Sequence, residues 1–147
     1  MKKRLIIIGL ITVVGLILIN CFVHPKVELW TYEDLPNDYV IEKKSETDMV
    51  IGKKESNKII TQKEDKKIGI EEYIAEFSYG ENYIALKCLN PNQKENTVEV
   101  RFYIIDSQNE DIYGPYDLES TYLEVKEKIV TEELNDWINT MTLSSES

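Results

Sequence analysis

Tyr73-Ile74-Ala75-Glu76-Phe77-Ser78-Tyr79-Gly80-Glu81-Asn82-Tyr83-Ile84-Ala85-Leu86-Lys87-Cys88-Leu89 reads as two β-strands and the turn between them. Side chains alternate across a strand, so Tyr73, Ala75, Phe77 and Tyr79 are expected on one face and Ile74, Glu76 and Ser78 on the other. Gly80-Glu81-Asn82 is the turn, where Gly or Asn can take a positive φ. Ile84, Leu86 and Cys88 alternate on the return. Cys88 in that row reads as a small buried hydrophobe and not as a reactive thiol.

The pattern continues on both sides. Residues 90–96 form a polar loop broken by Pro91. Val98, Val100, Phe102 and Ile104 then alternate against Glu99, Arg101 and Tyr103, the period of a half-buried strand. Residues 106–111 make a turn whose acids lack the D-x-D-x-D-G spacing of a calcium loop. Ile112-Tyr113 returns, and Gly114-Pro115 breaks the strand. Upstream, Tyr39-Val40-Ile41, Met49-Val50-Ile51 and Lys58-Ile59-Ile60-Thr61 are short strands bounded by turn or charged residues. Residues 63–67 are mixed in sign and read as a solvated loop.

Two helices are expected to finish the chain. Asp117 can cap the first, with Leu118, Tyr122, Val125 and Ile129 as its apolar stripe and Glu124 and Lys128 as a favourable pair. Thr131 can cap the second, with Glu132 and Glu133 at its positive end and Leu134, Trp137, Ile138 and Met141 as its stripe. The expected fold is therefore α+β: a mainly antiparallel sheet of about five to seven short strands, with two C-terminal helices packed on it.

The N-terminus is of another kind. Lys2-Lys3-Arg4 precede an apolar run at 5–23 in which Thr12 and Asn20 are the clearly polar members. About 20 apolar residues cross a bilayer, and cations stay on the cytoplasmic side, so the rest of the chain is expected outside. A lipoprotein signal competes with the spanning helix. Leu18-Ile19-Asn20-Cys21 stands where such a signal is cleaved, which makes Cys21 the candidate lipidation residue. Asn20 is larger than the usual Gly or Ala, and the run exceeds the ~7–15 residues of a signal core. The uncleaved helix is preferred, with lipidated Cys21 as its alternative.

The expected layout is an anchor or signal at 1–23, a tether at 24–37, one extracytoplasmic domain at 38–142 and a disordered tail at 143–147. Pro25 and Pro36 discourage helix in the tether; Trp30 and Tyr32 suit an interfacial aromatic belt, but Trp30 follows Val23 by 7 residues, and they are expected instead to pack on the domain or to start its first strand. All 27 acids follow Val23 against 14 of the 17 cations, so the exported part carries −13. That charge opposes nucleic-acid binding and flat docking on anionic lipid, keeps the domain soluble and can steer a basic partner. Cys21 and Cys88 are the two cysteines, so no disulfide framework is implied.

These segments resemble a family of small uncharacterised lipoproteins and membrane-anchored proteins of low-GC Gram-positive bacteria, a domain of unknown function. The resemblance rests on Leu35-Pro36-Asn37-Asp38-Tyr39, on the hairpin at 73–89, and on Tyr103-Ile104-Ile105-Asp106 followed by Tyr113-Gly114-Pro115. It implies an exported, anchored location and supplies no catalytic residue.

No catalytic set is legible. His24 is the one histidine and falls on the tether, away from any Ser-His-Asp, Cys-His or histidine–metal arrangement in the domain. A carboxylate pair of glycosidase type is available among so many acids without singling itself out. No catalytic residue, cofactor or metal is expected, and the protein is expected not to be an enzyme. Tyr73, Tyr79, Tyr83, Tyr103, Tyr113, Tyr116 and Tyr122 suit recognition at a surface, but sheets commonly hold such tyrosines half-buried. The expected function is a non-catalytic binding or accessory module, monomeric, held at the cell membrane with its domain extracytoplasmic. The membrane is engaged through residues 5–23, and the partner is an envelope component or protein. The alternatives are an immunity-type protein neutralising a basic toxin, and a small carboxylate-based envelope hydrolase.

Overall fold

The computed structural model describes residues 28–143. Strands β1 (Thr31–Tyr32), β2 (Tyr39–Lys43), β3 (Met49–Glu55) and β4 (Lys58–Ile60) form one antiparallel sheet in that order. Strands β5 (Gln62–Lys63) and β6 (Lys66–Lys67) make a small exposed ribbon in the segment expected as a loop. Strands β7 (Tyr73–Tyr79), β8 (Tyr83–Asn92), β9 (Thr97–Asp106), β10 (Asp111–Tyr116) and β11 (Ile138–Asn139) form a second antiparallel sheet, ordered β10-β9-β8-β7-β11. Helix α1 (Glu119–Ile129) follows β10, and the one-turn α2 (Thr140–Leu143) follows β11. The class is α+β and mainly antiparallel. Eleven strands in three sheets replace the single sheet expected, because two-residue pairings leave little trace in a periodicity.

The five-stranded sheet is covered on both faces. Ile84, Leu86 and Cys88 of β8 point with Tyr103 and Ile105 of β9 toward Ile41 and Ile51 of the four-stranded sheet. Each fully buried aliphatic side chain there contributes roughly 1.5–3 kcal/mol. Ala85, Phe102 and Ile104 point the other way and pack under Tyr122 of α1. Phe102 and Ile104 were expected opposite Tyr103, and they are. The larger core, however, takes Tyr103 and Ile105, and Val98 at the outer end of β9 is 60% exposed. Ile68 and Ile70, between the ribbon and β7, are also fully buried, and Ile70 pairs with Ile51.

A bulge corrects the reading of the hairpin. Ile74 opposes Cys88 and Glu76 opposes Lys87, so Ala75 is the extra residue. Ile74 therefore joins Phe77 and Tyr79 on the core face in place of Ala75. The turn is at 80–82 as expected, but neither Gly80 nor Asn82 takes a positive φ. Gly80 is needed for space: a Cβ there would run into the Glu132 carboxylate and the Glu133 carbonyl. Gly114 does hold a φ of 118°, beside a cis bond to Pro115.

Residues 90–96 are not all loop. Strand β8 runs to Asn92, with Pro91 opposite Val98. Strand β7 has already ended with Tyr73 opposite Leu89, so no third strand asks Pro91 for an N–H. The fold also begins inside the stretch expected as tether. Thr31 and Tyr32 pair with Glu42 and Ile41, and Leu35 is buried.

The second helix is the main correction. Of the stripe expected to form it, Ile138 lies in a strand opposite Phe77, and residues 130–137 are irregular. Tertiary partners override helix propensity here. Glu132 accepts from the Asn82 N–H at 2.7 Å, the Tyr83 N–H at 2.9 Å and Asn82 Nδ2 at 3.2 Å. Asn135 donates its N–H to Tyr79 O and accepts from the Tyr79 N–H at Oδ1, while Ser78 Oγ donates to Asn135 O at 2.6 Å. A helix would have spent these groups on itself. The segment becomes a strap across the β7–β8 turn instead.

Candidate functional site

Strand β10 ends at Tyr116 and the chain turns onto the sheet face left open by the four-stranded sheet. Leu118, not Asp117, occupies the N-cap of α1, and no side chain caps it. Tyr122 is the buried anchor of the helix. Its ring stacks on Phe102 with centroids 4.9 Å apart and lies 6.4 Å from the Trp137 indole of the strap. Val125 and Ile129 complete the inner side. The Tyr122 hydroxyl is buried with no hydrogen-bond partner among the described residues, and burial, with Glu119 nearby, pushes its pKa up to about 12.

The outer side of this helix departs from the expected stripe. Leu118 is 65% exposed, Leu123 51% and Trp137 41%. All three belong to α1, cap it or touch its buried tyrosine. Around them, residues 117–136 hold seven carboxylates against Lys126 and Lys128, a net of −5 in a chain of −10. Half of the formal excess charge is thus gathered in 20 residues beside exposed apolar side chains. Glu132 is the member with a structural task. Burial works to raise its pKa, but the N–H groups of Asn82 and Tyr83 outweigh it and hold the carboxyl below the ordinary range.

A second polar group sits at the rim of the larger core. Tyr103 donates its hydroxyl to Glu72 Oε1 at 2.6 Å, and Arg101 lies 3.5 Å from the same carboxylate and 3.1 Å from Glu99. Cys88, opposite Arg101 in the ladder, is fully buried, and burial pushes its thiol pKa far up, with Glu72 adding to it. A protonated, buried thiol is a poor nucleophile. Lys53 and Lys63 grip Glu110, and Lys66 reaches Asp111, tying the ribbon to the β9–β10 turn. The hydrogen bond from Lys53 does most to lower the Glu110 pKa, and Lys63 adds to it against the opposing effect of burial.

Of the seven tyrosines that suit recognition by sequence, Tyr103 and Tyr122 are buried and Tyr73, Tyr79, Tyr83, Tyr113 and Tyr116 half-buried, the arrangement sheets commonly hold. Cys21 and His24 lie outside the described residues. Among the described residues, no group of three His, Cys, Asp or Glu side chains is placed to hold a metal ion. Leu123 and Glu132 carry roles that spacing did not single out. Leu123 lies off the helical stripe, and the clasp of Glu132 needs a turn 50 residues upstream. No family model, curated protein or solved structure matches this chain.

Proposed function

We propose that this chain is a membrane-anchored extracytoplasmic binding or accessory module of the cell envelope, non-catalytic and monomeric, whose α1 face receives a cationic protein partner. The apolar run at 5–23 behind Lys2-Lys3-Arg4 supports the anchor, as a spanning helix or as a lipoprotein signal ending at Cys21. The resemblance to the small anchored proteins of low-GC Gram-positive bacteria supports the same location. The observation that carries the binding role is the meeting of exposed Leu118, Leu123 and Trp137 with the seven carboxylates at 117–136. Apolar and aromatic side chains supply contact area, and the surrounding charge selects a basic partner and speeds its approach.

The test is photocrosslinking in native membranes from a reactive side chain installed at position 123 of the full-length protein. A protein with a basic surface should be captured, and Trp137→Ala together with Asp136→Lys should abolish capture. Capture of acidic proteins, or equal capture by the double variant, would overturn the reading. Immunity-type neutralisation of a basic toxin draws on the same charge, and a toxin gene immediately beside this one would favour it. The carboxylate hydrolase has less support: Glu72, at the rim of the larger core, is held by Tyr103 and Arg101, and Glu132 by the β7–β8 turn.

A further inference from the structure

One end of the four-stranded sheet brings apolar, aromatic and cationic side chains around a single hollow. Leu29, Trp30, Thr31, Glu42, Lys43 and Lys44 line it. Strand pairing builds the site: Thr31 opposes Glu42, and the Lys43 N–H donates to Trp30 O at 2.9 Å. Trp30 packs its ring partly against the core with its Nε1 buried, whereas Leu29 is 63% exposed. Among the described residues neither Lys43 nor Lys44 is in an ion pair, although most lysines of β3, β5, β6 and β8 find carboxylates.

Chain length brings this end toward the bilayer. Leu29 follows Val23 by 6 residues, a reach of at most ~20 Å when extended. An aliphatic side chain, an indole and two ammonium groups on flexible stems are what the bilayer interface favours. The rest of the domain is acidic, and the α1 layer lies beyond the other face of the five-stranded sheet. An anionic surface would therefore repel the body, and Lys43 and Lys44 on their flexible stems can still reach it past Glu28, Glu42 and Asp48 at the same end.

We infer that Leu29, Lys43 and Lys44 rest on the phosphate headgroups of the bilayer that holds residues 5–23, with half-buried Trp30 just behind them, so that the domain sits in one orientation. The inference rests on the anchored reading above. Two measurements on the full-length chain separate their fates. Trp30 and Trp137 are the two tryptophans, so Trp137→Phe leaves Trp30 as the reporter. The protein is reconstituted into vesicles of phosphatidylcholine and phosphatidylglycerol whose acyl chains are brominated near the headgroup.

Flotation with the vesicles reads the anchor. A roughly twofold loss of Trp30 emission is expected in addition, because an interfacial indole lies within a few ångströms of those bromines. Lys43→Glu with Lys44→Glu, and separately Leu29→Glu, should keep flotation and far-ultraviolet dichroism and restore the emission. Flotation without quenching, or quenching unchanged in both variants, would overturn the headgroup contact and leave the anchor standing. Failure to float would overturn the anchored reading and this inference with it.

Discussion

Replacing Glu132 by alanine removes the carboxylate that holds the strap against the β7–β8 turn. Three hydrogen bonds go with it, at 2.7, 2.9 and 3.2 Å. Hydrogen bonds to a charged group are worth about 1.5–3 kcal/mol apiece where burial is complete. Here Asn82 and Tyr83 are half-buried, so water replaces part of what is lost. A destabilisation of about 2–3 kcal/mol follows, a large share of the ~5–15 kcal/mol of a typical domain. Glu132→Gln keeps an acceptor oxygen and loses the charge, for about 1 kcal/mol. Urea unfolding of a fragment comprising residues 24–147, followed by far-ultraviolet dichroism, reads both, with the slope in urea unchanged. The folded pKa of Glu132 is lowered. Its contribution is therefore complete above the unfolded value, ~4.3, and is lost as pH falls through the folded one. Wild type should converge on the glutamine variant in acid. An alanine loss below about 0.5 kcal/mol, or a wild-type advantage over glutamine undiminished in acid, would refute the clasp, since a surface substitution costs no more than that.

Gly80→Ala places a Cβ against Glu132 Oε1 and so attacks the same contact from the turn side; in a double-mutant cycle its cost should not add to that of Glu132→Ala. Tyr122→Phe removes a buried hydroxyl without a partner, so a thermal melt should show no loss, and up to ~1 kcal/mol of gain. Cys88 should resist maleimide in the folded fragment and react in urea, and Cys88→Ser should cost about 1–3 kcal/mol by burying a hydroxyl; at matched abundance, Cys88→Ser with His24→Ala should leave the biological phenotype intact. Cys21→Ser should leave the protein in the membrane fraction, and fatty-acid labelling of the natural chain that disappears in this variant would establish the lipoprotein alternative.

The antiparallel frame was legible because it depends on alternation. The β7–β8 turn and the long β9 row are carried by neighbours in sequence, and each local choice agrees with the final sheet. What alternation could not show is the bulge. One unpaired residue at Ala75 moves Ile74 to the core face, and no composition cue marks it. The four-stranded sheet stayed hidden as a separate layer for a related reason. Its strands read as ordinary short segments, and only the opposite placement of Leu86 and Ala85 reveals that both faces of the second sheet are covered. A strand buried on both sides reads as a continuous apolar run, which β8 nearly is.

The candidate site was half visible for a more instructive reason. Leu118 and Trp137 were placed in apolar stripes, and an apolar stripe is normally an inward face. Leu118 became a helix cap, and Trp137 travels on a strap fixed by Glu132 and Asn135, so both side chains are left partly open. Exposure of Trp137 is thus a consequence of the clasp at the hairpin turn, and that of Leu118 of its place at the start of α1. The acids that read as a helix N-terminus serve the same end: Glu132 is consumed by the turn, while Glu133 and Asp136 stay exposed beside Trp137. Loosening the clasp should therefore disturb the α1 face before it disturbs either sheet. Glu132→Gln should weaken capture from position 123 while leaving Trp30 quenching in vesicles unchanged, which ties the binding face to the strap and the membrane contact to the opposite layer.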